Sequence, residues 1–69
     1  MITAIGIVAG ELWHFLDEHR GAAHLSDIAT GIGRPRDLVL MSVGWLAREG
    51  HVVLQQEGQD YTVTLRQPS

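Results

Sequence analysis

Three helices followed by a two-stranded hairpin, an α+β arrangement, are predicted for this 69-residue chain by three observations. Apolar residues recur at steps of three and four near the start, the period of a helix with one buried face. Gly31-Ile32-Gly33-Arg34-Pro35 is a breaker cluster that closes one helix and opens another. The tail alternates Tyr61, Val63 and Leu65 with Thr62 and Thr64, the period-two pattern of a half-buried strand.

The first helix is predicted over about residues 3–20. Ile5, Val8, Leu12, Phe15 and Leu16 form its main apolar stripe, which Ile2, Ala9 and Trp13 widen. Gly21 is its natural C-cap. Gly6 and Gly10 share one face of this helix, and each costs about 0.5–1 kcal/mol relative to alanine. Close approach of another backbone would offset that cost. Ala22-Ala23-His24-Leu25 reads as a short strand or a linker. A second helix follows over about 26–31, with Ser26 as N-cap and Asp27 well placed against the helix dipole. A third is predicted over about 35–49, with Pro35 in its first turn and Gly50 as its stop. The hairpin covers about 51–65, turning through Glu57-Gly58-Gln59-Asp60. Gln67-Pro68-Ser69 reads as a disordered tail.

This order is that of a winged helix-turn-helix, with the hairpin as the wing and a short strand or linker between helices 1 and 2. Local spacing agrees. Ala29 is small where two helices cross, Gly33 makes the turn, and Val39 follows to fill the corner between the helices.

Composition bounds the functional classes. A chain of this length is a single domain, residues 1–69, and buries only about 60% of its unfolded surface, so it is marginal alone. Cysteine is absent, which removes disulfides and thiolate chemistry and leaves oligomerisation as the supplement. A homodimer is therefore expected. The initial uncharged run MITAIGIVAG stops at Glu11, too short for a bilayer and without a basic leader. The chain accordingly reads as cytoplasmic, with no membrane contact. Eight acidic residues face five arginines, a formal net charge of −3. Nucleic-acid binding relies on phosphate neutralisation, so a net acidic domain needs a local basic patch to achieve it.

Two stretches, Ile5-Gly6…Ala9-Gly10…Trp13…Leu16 and Gly44-Trp45-Leu46-Ala47-Arg48-Glu49-Gly50-His51-Val52, resemble a family of small prokaryotic winged helix-turn-helix proteins of unassigned function. The resemblance runs from Ile5 to Leu65, and its GWLAREG run is the more specific part. It implies a winged-helix fold, suggests a homodimer, and carries the DNA-binding description usual for that fold. No catalytic residue transfers with it.

The second helix of a helix-turn-helix presents its N-terminal residues to base edges. Arg34, Arg36 and Asp37 are the DNA-contact candidates, Arg34 toward phosphate and Arg36 toward guanine. The rest of that helix, LVLMSVGWL, is uncharged. Val39, Val43 and Leu46 form a stripe toward the core, leaving Leu38, Leu40, Met41 and Trp45 as an outward apolar set. With Gly6, Gly10 and Trp13 these are the candidates for a dimer or partner interface. The wing tip, Gln55 to Asp60, carries no cation and reads as a solvated turn. Glu11, His14 and Glu18 share a helix face but lack the paired histidines of a zinc motif, and His24 and His51 are placed near each other as strand starts. No metal, cofactor or catalytic residue is assigned, and no enzyme activity is expected, since phosphate loops, dinucleotide fingerprints and nucleophile elbows are all missing. Two functions follow: a homodimeric regulator that binds DNA weakly through Arg34 and Arg36, or a dimeric protein-interaction module that does not bind DNA.

Overall fold

Helix α1 spans Ile2–Glu18 and buries Val8, Leu12 and Leu16 of the predicted stripe together with Ala9, while Ile5 and Phe15 are half-buried and Trp13 is exposed. It is followed by β1 (Ala22–His24), α2 (Leu25–Ile32), α3 (Arg36–Arg48), β2 (Val52–Glu57) and β3 (Asp60–Leu65). The computed structural model describes residues 2–66, with side chains from Ala4 onward; the tail expected to be disordered lies outside the described residues. The short segment after α1 is a strand, which answers the strand-or-linker question left by its weak propensity. It completes a three-stranded antiparallel sheet of order β1-β3-β2.

The sheet register brings distant segments together. Ala23 pairs with Val63 and Leu54 with Val63 from the other side, so β3 is the central strand. Two backbone bonds extend the ladder at its base: Leu65 N–H donates to Gly21 O (2.7 Å) and Arg66 N–H to His51 O (2.9 Å). His24 lies toward the wing tip, opposite Thr62, whereas His51 lies at the base beside Arg66. The expected closeness of these histidines therefore fails. β1 and β2 run parallel with β3 between them, and the two residues sit at opposite ends.

Helices and sheet close on one core. Leu12, Leu16, Leu25, Ile28, Val39, Val43 and Val63 are fully buried. Each such side chain contributes on the order of 1.5–3 kcal/mol of transfer free energy. Buried Ser42 is satisfied within its own helix, its hydroxyl donating to Leu38 O (2.8 Å).

The helix-turn-helix corner is made by Gly33, whose left-handed φ of 69° suits a residue without Cβ. The N–H groups of Gly33 and Arg34 both donate to Ala29 O (3.0 and 3.2 Å), closing α2. Pro35 then stands extended at the N-cap of α3, one residue outside the helix.

One capping expectation is corrected. Ser26 is not the N-cap of α2: the helix begins at Leu25, directly after the strand, with His24 at the cap and no side-chain bond from it. The cap comes from the wing instead. Asp60 accepts from Ser26 N–H (3.2 Å) and from the Ser26 hydroxyl (2.7 Å). A carboxylate at a helix N-terminus meets unpaired N–H groups and the positive end of the dipole.

Candidate association face and nucleic-acid surface

The DNA-contact candidates lie at the N-terminal end of α3, and two of the three are engaged within the chain. Arg34, half-buried in the turn, forms a bidentate pair with Glu11 of α1. Its Nε donates to Oε1 (2.9 Å) and its Nη2 to Oε2 (2.7 Å). These hydrogen bonds hold the Glu11 carboxyl below its ordinary range, while its partial desolvation opposes the shift. Glu11, read from sequence beside His14 and Glu18, thus has both carboxylate oxygens committed to an arginine. Arg36 is exposed and donates from Nη2 to the Gln59 carbonyl at the wing tip (2.9 Å). Asp37 is exposed in the first turn of α3.

The wing adds negative charge to this end. Glu57 and Asp60 flank its two-residue turn, and Gly58 takes the positive φ of 65° that tight hairpin turns need. Asp60 titrates below the usual carboxylate range. The Ser26 hydroxyl is the main cause, Tyr61 N–H (2.8 Å) is second, and desolvation opposes both.

The outward apolar set divides. Leu38 and Leu40 are half-buried and pack against the core, so they contribute less free surface than the sequence pattern suggests. Met41 and Trp45 remain 54% and 49% exposed. Across the groove from Trp45, α1 presents Gly6, Gly10 and Trp13. With Ala9, Leu46 and His51 these line an open depression of about 310 Å³. Trp13 is 37% exposed, and Ile7, one turn before Gly10 and not singled out from sequence, is 53% exposed.

Gly6 and Gly10 of this face border open space, as do Gly33, Gly50 and Gly58 elsewhere in the chain. A Cβ added at Gly6, Gly10 or Gly44 would meet nothing of this chain within 4 Å. At Gly31 it would collide with the Phe15 ring. Gly31 is therefore explained by packing of α1 on α2, whereas the α1 glycines leave open space under two tryptophans. A wider bowl of about 750 Å³ beside β1, bordered by Phe15, His19, His24 and Thr62, mixes Glu18 and Asp27 with Arg20 and has no single chemical character. Among the described residues, no group of three histidine or acidic side chains could hold a metal ion. No described helix is long and apolar enough to cross a membrane.

A tight helical corner, a three-stranded sheet and a hairpin packed beside α3 define a winged helix-turn-helix protein. The chain belongs to the winged helix-turn-helix domain family DUF2582, whose model matches residues 1–65. It is similar to the solution NMR structure of protein BT2368 from Bacteroides thetaiotaomicron, with a TM-score of 0.77 and 27% sequence identity. That match covers 91% of this chain and 76% of the other. No curated protein matches the chain.

Proposed function

We propose that this chain is a homodimeric winged helix-turn-helix protein of transcription-regulator type. It associates through the Trp13–Trp45 face and touches nucleic acid weakly through the N-terminal end of α3. Its role is binding rather than catalysis, and its setting is the cytoplasm. The observation that carries the reading is the pair of exposed tryptophans over a glycine floor. One patch then offers both the projections and the hollow that an isologous contact requires of each copy.

Area supports a second copy as the occupant. Trp13, Trp45 and Met41, one turn before Trp45, present roughly 350 Å² of mainly apolar side chain per chain at their observed exposures. Two copies with their rims approach the roughly 1,000 Å² that separates specific interfaces from incidental ones. The two functions also fit on one helix. Arg36 and Trp45 are nine residues apart on α3, a rise of about 14 Å, so association at one end leaves the other accessible.

Sedimentation of the wild type and Gly10→Leu tests the dimer. A Cβ at this position meets nothing within its own chain, and the longer leucine side chain fills the hollow needed by a second copy. A wild-type dimer at micromolar concentration that Gly10→Leu dissociates is the expected result; a wild-type monomer, or unchanged association of Gly10→Leu, overturns the assigned face. A salt-titrated DNA assay tests the remainder, with Arg34→Ala/Arg36→Ala expected to weaken binding. A specific observation favours a second reading, the protein-interaction dimer that binds no DNA: the wing is acidic and both arginines of the corner are bonded inside the chain. No DNA binding at low salt would select it.

A further inference from the structure

The two arginines of the helix-turn-helix end are held differently. Arg36 gives one hydrogen bond to a neutral carbonyl and forms no ion pair among the described residues. Arg34 faces a full carboxylate that occupies the Nε–Nη2 edge of its guanidinium. That planar edge is the one with which arginine grips a phosphate bidentately. Carboxylate and phosphate therefore compete for the same donors.

The geometry points to Glu11 as an autoinhibitory competitor that keeps Arg34 from nucleic-acid phosphate, so that in the resting chain only Arg36 contributes a phosphate contact at this corner. The inference rests on the nucleic-acid part of the proposed function and names its regulation. Packing explains the α1–α2 contact without the ion pair, since Leu12, Leu16 and Ile28 are fully buried there. Exposed ion pairs generally contribute little to stability, and both partners keep more than a third of their surface in solvent. The principal consequence of Glu11 is thus electrostatic. Its carboxyl is held below the ordinary range by Arg34, so it stays ionised at neutral pH. Release comes by competition from phosphate, not by titration.

The test is fluorescence anisotropy of a labelled mixed-sequence DNA duplex, titrated with the full chain across a range of salt. Wild type, Glu11→Gln, Glu11→Ala, Arg34→Ala, Arg36→Ala and Glu11→Gln/Arg34→Ala are compared, with circular dichroism confirming that each folds. Glu11→Gln and Glu11→Ala should bind several-fold more tightly at low salt. Their plots of log affinity against log salt should steepen by about 0.9, the signature of one added phosphate contact. Arg34→Ala, which leaves an unpaired Glu11 carboxylate, should bind no more tightly than wild type, and the double variant, neutral at this pair, should match wild type. Binding that Arg36→Ala weakens but neither Glu11 variant strengthens would overturn the inference and leave the nucleic-acid reading standing. A loss of affinity in Glu11→Gln/Arg34→Ala, which keeps this pair neutral, would overturn it too, by showing that Arg34 already reaches phosphate past Glu11. Absence of binding in every variant would reject both.

Discussion

The two ends of α3 differ in how far the chain satisfies itself. At the N-terminal end, Arg34 is paired with Glu11, Arg36 with Gln59 O, and Asp60 with Ser26 and Tyr61 N–H. At the C-terminal end, Trp45 stands half exposed over Gly6 and Gly10, with empty space where their side chains would be. Polar groups that already have partners gain little from a new one, because binding must first break what exists. Uncovered apolar surface loses nothing by being covered. The driving force for a partner therefore concentrates at the tryptophan end, and the N-terminal end of α3 is the one whose charges are most internally spent.

The largest expected effect separates two exposed apolar residues. Trp45→Ala should weaken self-association by at least about 2 kcal/mol, roughly 30-fold, as central aromatic anchors do. Val53 is comparably exposed, at 54%, but lies on the sheet away from the groove. Val53→Ala should leave association unchanged. Sedimentation equilibrium on both variants decides this, and an equal loss from Val53→Ala would move the interface to the sheet.

A smaller effect, opposite in sign at two glycines, sharpens the same contrast. Gly31→Val pushes a branched side chain into the Phe15 ring and should destabilise the fold by about 1–3 kcal/mol, the usual range for overpacking. Gly10→Ala enters open space on α1 and should stabilise the isolated chain by about 0.5–1 kcal/mol through helix propensity. Denaturant unfolding at a fixed low protein concentration measures both. A destabilising Gly10→Ala would show that the groove closes within one chain.

These comparisons also mark what the sequence makes legible. The core stripe Val39, Val43 and Leu46 and the turn at Gly33 follow from local periodicity and backbone preference, which act over a few residues. The split of Leu38 and Leu40 from Met41 and Trp45 does not. It depends on how wide an arc of α3 is covered by α1, α2 and β2, a tertiary quantity. The Glu11–Arg34 and Ser26–Asp60 contacts join residues 23 and 34 positions apart, and no spacing rule encodes such pairs. Ser26 fits an N-cap by residue type, but strand β1 runs into the helix and moves the cap position to His24. The wing carboxylate then takes over the role that local chemistry assigns to serine.

That displaced cap gives the smallest and most specific effect, a pH dependence at the N-terminal end of α2. Asp60 titrates lower in the folded chain than in the unfolded one, mainly because the Ser26 hydroxyl bonds its ionised form. A depressed folded pKa contributes stability that is fully present above the unfolded value, about 3.9 for aspartate. The contribution is lost as pH falls through the lower folded value. Asp60→Asn should therefore melt a few degrees below wild type at neutral pH, and the gap should narrow as pH falls below about 4. Glu11 shifts in the same direction and steepens the acid limb of both proteins alike, so the difference between the two melting curves isolates Asp60. Thermal melts followed by circular dichroism across this window provide the measurement. A gap that stays constant with pH would mean that Asp60 acts through its shape in the wing turn and not through its charge at α2.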